Sequence, residues 1–262
     1  MSAAHRRTPP PPLCRRAGCT RRVRQEAQDA AVQALLQALQ LKDPYTRAHS
    51  ERVGALAALI AAELGGSGPG TAAVRLGGLL HDVGKLAVPA DVLCKDGPLT
   101  DDERRLVQAH PADGDGVLRA IPVLAEARAA VLHHHERLDG TGYPGGLGGA
   151  RIPEAARIVA VADAFDAMTT TRSYSRARPA PAALAELRRC AGSQFDPAMV
   201  EALERALAAV RWRTPDAAPC GETAVAEGPL LAPPLLPPLA GAGAHGATWA
   251  WLDAGAKGKE VG

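Results

Sequence analysis

Apolar residues recur at three- and four-residue intervals through most of this chain, and this spacing limits the possible folds. Val32, Leu35, Leu36 and Leu39 lie on one face of a helix. The chain is 47% hydrophobic but only 3% aromatic, so its apolar content lies mainly in alanine and leucine. Such a composition is typical of helices, and no segment alternates as a strand does. The sequence therefore predicts an all-α fold.

Prolines and capping residues mark where the predicted helices begin and end. Lys42-Asp43-Pro44 ends the first helix, because the residue before a proline avoids the α region. Thr100-Asp101-Asp102-Glu103 is a capping box that starts a short helix leading to His110. The other predicted helices cover about 45–64, 71–83, 122–133, 153–168, 181–190 and 197–211.

Both ends of the chain differ from this helical part. Residues 1–25 are basic and rich in proline, and residues 213–262 are rich in proline, glycine and alanine. Neither segment has a core-forming pattern, so we expect two disordered tails around one domain at 26–212. The less favoured alternative is that the basic segment is an arm that contacts nucleic acid or an acidic membrane. Trp249 and Trp251 have no assigned role.

The cysteines and the lack of a secretory signal favour a cytoplasmic protein, and no polymeric nucleic-acid partner is expected. The formal net charge is only +2, and no run of 18 apolar residues predicts a membrane span. The arginines near the N-terminus precede no apolar block, so no secretory signal is predicted. Five scattered cysteines are an odd number, which favours reduced thiols in the cytoplasm.

Histidines and aspartates at the faces and ends of the predicted helices form a candidate metal site. One such histidine is usually a core residue with its hydrogen bonds satisfied. Five histidines with two carboxylates from different helices would need a compensating cation if they were buried together. The set exceeds the needs of one tetrahedral ion, which favours two ions, about 3.5–4 Å apart, that clamp a phosphodiester. Its members are His49, His81, Asp82, His110, His134, His135 and Asp163.

Two residues follow the adjacent His81-Asp82 pair at positions where they would serve the same site. Imidazole and carboxylate are both suitable ligands for Fe, Mn or Zn. Gly84 would let the backbone pass close to a bound group, and Lys85 offers a positive charge for a phosphate.

Four segments together resemble the HD-GYP family, which are HD-superfamily phosphodiesterases of the bacterial second messenger cyclic di-GMP. The resemblance spans about residues 30–205. It includes the stretch around His49 and Gln194-Phe195-Asp196-Pro197. The four segments are His81-Asp82 with Gly84-Lys85, His110-Pro111, the run from His134-His135-Glu136 to Gly142-Tyr143-Pro144, and 161–169. The run from His134 to Pro144 is highly specific, whereas a lone His-Asp pair is not.

The resemblance implies a role for each matching residue. The seven residues of the candidate set would be the metal ligands, with Asp82 bridging two ions and a hydroxide between them as nucleophile. Lys85 would contact a phosphate oxygen or assist the leaving oxygen. Gly140 to Tyr143 would form the lip of the pocket, with Tyr143 near the substrate. Three further residues match family positions that face the substrate or lie just behind the metal ligands: Asp43, Asp166 and Arg172.

This chain departs from its relatives at two positions. Some relatives have a glutamate in place of Tyr45 that recruits a third metal, and a phenol is a poor ligand at neutral pH. Two divalent ions, Fe or Mn, are therefore expected. Many relatives also have a basic residue where this chain has Ser175. Whether Arg176 replaces that residue as a phosphate contact stays open.

Three functional hypotheses follow from the resemblance. The first is a metal-dependent phosphodiesterase that cleaves cyclic di-GMP to linear pGpG, with further cleavage to GMP left open. The second has the same chemistry on another cyclic dinucleotide or a nucleoside phosphate. The third is an inactive module that binds cyclic di-GMP or a protein partner. Retention of the whole ligand set disfavours the third. Residues 1–25 are too few for a fused sensor, so none is expected before the domain. A protein partner bound through the tails stays unknown.

Overall fold

A computed structural model describes residues 17–43, 46–95, 97–171 and 177–210. These residues are mostly helical and contain no strand beyond two isolated bridges, which confirms the all-α prediction. The helices are α1 (Ala17–Lys42), α2 (Thr46–Glu63), α3 (Pro69–Leu80), α4 (Ala90–Leu93), α5 (Asp101–Gln108), α6 (His110–Arg119), α7 (Arg128–His133), α8 (Glu154–Thr169), α9 (Ala180–Cys190) and α10 (Pro197–Val210). Short 3-10 turns cover Val83–Ala87, Pro122–Ala127 and Gly149–Arg151.

Helix α2 lies at the centre of the domain and packs against α3, α8 and α10. Val53, Leu56 and Ile60 on its buried face contact a cluster that includes Phe165 of α8 and Leu203 of α10. A second cluster joins α1 and α3 to α6 and the segment before α7. Most apolar residues predicted to line one face of each helix therefore lie in the core, and their packing fixes the orientation of the helix.

Two glycines allow α2 and α3 to cross at short range. A Cβ atom added at Gly78 would lie 2.8 Å from the Cα of Gly54, closer than real Cβ contacts. A larger side chain at either position would push the helices apart. This close crossing brings the first turn of α2 near the end of α3, where the candidate ligands lie.

Local signals located several helix ends correctly. Thr100 accepts from the backbone N–H of Glu103, and the Glu103 carboxylate accepts from the N–H of Thr100, so the predicted capping box is present. Pro153 precedes α8, and Pro197 opens α10.

The structure differs from the local assignments at four places. Helix α3 stops at Leu80 rather than Val83, and 122–127 is a 3-10 turn before α7. Helix α6 was not anticipated, because Pro111, Gly114 and Gly116 are all poor helix formers. Helix α1 starts at Ala17, before the expected domain start at 26, and Arg24 contacts Glu126 across the fold. Residues 1–16 and 211–262 lie outside the described residues, so the predicted tails and the outer domain boundary stay predictions.

Candidate metal centre

The candidate ligands are brought together from five separate segments. His49 is in the first turn of α2, and Asp163 is in the middle of α8. The others lie at helix ends: His81 and Asp82 follow α3, His110 joins α5 to α6, and His134 and His135 follow α7. Helix ends converging on one point explain why side chains so distant in sequence meet here.

Most of these candidate ligands are almost inaccessible to solvent, and the atoms that could bind a metal lie close to one another. His49 Nε2 lies 3.2 Å from Asp163 Oδ1, and His81 Nε2 lies 3.3 Å from Asp82 Oδ2. His110 Nε2 lies 3.5 Å from the other oxygen of Asp82. The carboxylate of Asp82 therefore lies between histidines on two sides of the centre.

Ligand atoms within 4.8 Å of one another form three overlapping groups. These groups are His49-His81-Asp163, His81-Asp82-His134 and His110-His134-His135. The middle group shares a histidine with each of the other two. The three groups therefore form one continuous set of candidate ligands.

Burial keeps the histidines on one side of this centre neutral. It lowers the pKa of His110 to about 4, and burial together with neighbouring imidazoles lowers the pKa of His134 and His135. Burial opposes ionisation of Asp163, but the neighbouring His49 and His81 imidazoles hold its pKa below the usual range. Neutral imidazoles beside ionised carboxylates are the form in which these groups bind metals.

Several polar atoms that point into the centre lack a hydrogen bond. Among the residues the structure describes, His81 Nε2, Asp82 Oδ1, Asp163 Oδ1 and the Tyr143 hydroxyl are buried without one. Buried polar groups are normally satisfied, so this concentration of unsatisfied donors and acceptors calls for a missing partner. A divalent cation bound by imidazoles and carboxylates fits these atoms.

Backbone carbonyls hold three of the histidines in position. The Nδ1 of each contacts the carbonyl three residues earlier at 2.8 Å: His81 to Gly78, His110 to Val107 and His134 to Val131. A carbonyl can only accept, so Nδ1 carries the proton and Nε2 is left to bind a cation. Each carbonyl lies in the last turn of a helix, where such groups lack a helical partner.

The structure gives different roles to Gly84 and Lys85, which lie shortly after the His81-Asp82 pair. Lys85 is buried, and its Nζ donates to Asp82 Oδ2 at 2.8 Å. Gly84, expected to face a bound group, instead packs against the backbone of α6. A Cβ atom at Gly84 would clash with the carbonyl oxygen of His110. The glycine is required because the turn after α3 must approach His110 closely.

The glycine-rich segment after α7 folds back over His135. The Tyr143 ring stacks on the His135 ring, with centroids 4.9 Å apart. Gly142 is required there, since a Cβ would lie 2.5 Å from the His135 carbonyl oxygen. The buried Glu136 carboxylate accepts from Gly145 N at 2.7 Å and Leu147 N at 2.9 Å. Sequence reasoning gave Glu136 no role, because its partners are backbone amides that no pattern identifies.

The remaining residues considered for the site lie beside the metal centre or outside the residues that the structure describes. Asp43 is in the turn before α2 and accepts a hydrogen bond from Thr46. Asp166 is buried behind His49, where Arg52 also contacts it, and this placement fits support of His49 rather than contact with a substrate. His133 Nδ1 lies 3.6 Å from the Glu136 carboxylate. The positions outside the described residues are Tyr45, Arg172, Ser175 and Arg176.

Comparison with known proteins identifies the type of domain. A family model described as HD domain matches residues 33–199, more than half of the chain. The cyclic di-GMP phosphodiesterase response regulator RpfG of Xanthomonas campestris is 42% identical over 186 residues, 69% of this chain and 48% of that protein. A cyclic di-GMP phosphodiesterase of Thermotoga maritima is 39% identical, over 62% of this chain and 44% of its own length.

A relative with a different named substrate is also similar. The 3'3'-cGAMP-specific phosphodiesterase 3 of Vibrio cholerae is 43% identical, over 63% of this chain and 36% of that protein. The chain thus spans half or less of the length of these curated relatives. In the described residues, no helix is long and apolar enough to cross a membrane.

Solved structures show the same fold. An HD-GYP-type protein, Bd1817 of Bdellovibrio bacteriovorus, superposes with a TM-score of 0.54 at 22% identity, over 70% of this chain and 62% of that one. A cyclic GMP-AMP phosphodiesterase of V. cholerae gives the same TM-score and identity, over 70% of this chain and 49% of that one. On the family match, the similar relatives and the motifs, this chain belongs to the HD-domain family, in its HD-GYP branch.

Proposed function

We propose that this protein is a metal-dependent phosphodiesterase that hydrolyses cyclic di-GMP to linear pGpG. The observation that carries the proposal is the buried chain of three overlapping ligand groups, joined through His81 and His134. Relatives named as cyclic di-GMP phosphodiesterases, at 39–42% identity, support the choice of substrate. Further cleavage of pGpG to GMP would use the same groups.

We propose that two divalent ions, Fe or Mn, occupy the centre. His49, His81 and Asp163 would hold one ion, His110, His134 and His135 the other, and Asp82 lies between the two groups. Bound there, the ions would supply Lewis acidity at the phosphoryl oxygens and lower the pKa of the attacking water. The imidazole-rich set favours transition metals over Mg²⁺ or Ca²⁺.

Residues of the chain itself would bind and orient the substrate. The buried ammonium of Lys85, held beside Asp82, is a positive charge for a non-bridging phosphate oxygen and can give a proton to the leaving 3' oxygen. Tyr143 covers His135, and its hydroxyl faces the Asp82 and Asp163 carboxylates. Burial raises the pKa of this hydroxyl, and the two negative charges raise it further. The phenol therefore stays protonated as a hydrogen-bond donor at the pocket lip.

A second candidate substrate is 3'3'-cGAMP, because a relative named for that activity is as similar as those named for cyclic di-GMP. Both molecules contain guanosine and a phosphodiester, so Lys85 and the metal centre would not distinguish them. The residues that contact the bases would have to do so. The proposed substrate is a signalling nucleotide, so the proposed location is the cytoplasm, and the free thiols of Cys94 and Cys190 suit its reducing conditions.

The test is turnover by anaerobically purified protein loaded with Mn or Fe. Cyclic di-GMP, 3'3'-cGAMP, cyclic di-AMP and pGpG would be supplied separately, with products separated by chromatography and metal measured by elemental analysis. We expect cyclic di-GMP to give the highest kcat/KM. A higher kcat/KM for 3'3'-cGAMP than for cyclic di-GMP would identify 3'3'-cGAMP as the substrate instead. Full metal content with no turnover of any of the four would support the inactive binding module instead.

A further inference from the structure

His49 differs from His81, His110 and His134 in the group that holds its second ring nitrogen. His81, His110 and His134 use carbonyls in the last turn of a helix, where these groups are available. His49 is in the first turn of α2, where the carbonyls accept from the helix itself. An acceptor for its Nδ1 proton must therefore come from another element.

That acceptor is Asp166 of α8, whose Oδ2 lies 2.7 Å from His49 Nδ1. Its carboxylate is 1% exposed, and a buried ionised carboxylate is costly without a full set of donors. Arg52, one turn after His49, supplies the others. Its Nε donates to Asp166 Oδ1 at 2.5 Å, and its Nη2 donates to Oδ2 at 3.0 Å.

We propose that Arg52 is a positioning residue for the metal-binding nitrogen of His49. The planar guanidinium fixes both oxygens of Asp166, which a single point charge would not do. Oδ2 then accepts the Nδ1 proton of His49, and the ring turns its Nε2 towards Asp163 Oδ1 at 3.2 Å. The inference rests on the metal site proposed above and extends it to a residue outside the ligand set.

Only one of the two ligand groups depends on this arrangement. His110 and His134 are held by backbone carbonyls, and Arg52 makes no contact with them in the described residues. Loss of Arg52 should therefore weaken the ion at His49, His81 and Asp163 and leave the ion at His110, His134 and His135 unchanged. A general loss of stability would weaken both.

The experiment compares Mn²⁺ binding to metal-free full-length protein, measured by anaerobic calorimetric titration, for the wild type and three variants. Arg52→Gln removes the charge and the bidentate contact, and Arg52→Lys keeps the charge alone. Arg47→Gln is the matched control, since Arg47 is also on α2 but contacts Glu51 and Gln33. Circular dichroism and thermal unfolding of the metal-free proteins are measured in parallel.

We expect Arg52→Gln to weaken one of two binding steps by about 10–100-fold and to leave the other within about threefold. Arg52→Lys should fall between Arg52→Gln and the wild type, and Arg47→Gln should match the wild type. Wild-type binding in Arg52→Gln, or equal weakening of both steps, would overturn the proposal. If Arg52→Gln does not fold, Arg52→Lys decides, and wild-type binding by that variant would overturn it. A wild type that binds no Mn²⁺ would refute the metal site itself.

Discussion

The histidines of the centre show how position in a helix determines what a side chain can do. A histidine after the last turn finds an unused carbonyl for Nδ1, so its orientation is fixed locally. A histidine in the first turn does not, and His49 depends on Asp166. The sequence identifies both kinds as candidate ligands. It does not reveal the partner of His49, because that contact joins residues 117 positions apart.

The carboxylate of Asp82 is predicted to be indispensable, because it lies between the two ligand groups. Asp82→Ala should lose at least one metal equivalent and more than about 100-fold in kcat, since loss of even an outer partner of a ligand costs 10–100-fold. Elemental analysis and turnover would be measured on the purified variant. Asp91→Ala, at an exposed position of α4, is the control. Intact metal content with full activity in Asp82→Ala would exclude the proposed mechanism.

At the scale of elements, features that depend on neighbouring residues were predictable and those that depend on distant ones were not. The capping box at Thr100 and the proline before α8 act within one turn, so their signals are in the local sequence. Helix α6 has weak local propensity and forms because it packs against Val83–Ala87 and α7. Its Gly114 is needed there, since a Cβ would lie 2.8 Å from a Val131 methyl carbon. Tertiary packing overrides propensity at such a site.

Glu136 is predicted to hold the glycine-rich segment over the centre. Glu136→Gln replaces one acceptor oxygen with an NH₂ group, which would face the amide of Gly145 or Leu147 and leave it unsatisfied. We expect about 1–3 kcal/mol lower unfolding free energy. We also expect a higher KM for cyclic di-GMP, with metal content retained. Steady-state kinetics and urea unfolding would test this, with exposed Glu201→Gln as control. An unchanged KM would mean that the segment does not contact substrate.

Asp115 is predicted to give the fold a pH-dependent stability. Hydrogen bonds from Arg128 and then Arg119 lower the pKa of this buried carboxylate, although burial opposes them. A lowered folded-state pKa adds stability above the unfolded value of about 4, and the contribution is lost as the pH falls through the folded value. Asp115→Asn should therefore cost about 1–2 kcal/mol at pH 7. The difference from wild type should shrink below about pH 4 in urea titrations. A constant difference would contradict the assignment.

At the scale of the whole molecule, the centre joins segments that the two main core clusters hold separately. Helices α2 and α8 pack in one cluster, α3 and α6 contribute to the other, and α7 contributes to both. The ligands come from the edges of both. An all-α domain with these helices except α6 could be predicted from the sequence, but the close crossing at Gly54 and Gly78 that joins the clusters could not. It depends on two glycines that local patterns treat as weak points of a helix.

Metal binding is therefore predicted to stabilise the whole fold. Ions that bind only the folded state add RT ln(1 + [metal]/Kd), which is about 2.7 kcal/mol at a hundredfold excess over Kd. For a domain of this size, each kcal/mol raises Tm by about 2–4 °C, so Mn²⁺ should raise Tm by about 5–10 °C. Thermal unfolding would be followed by circular dichroism after chelation and after reloading. Ca²⁺ is the control, because it prefers oxygen ligands over imidazole. An equal shift with Ca²⁺ would assign the effect to surface carboxylates, and no shift with Mn²⁺ would mean that the ligand groups do not hold a metal in the folded protein.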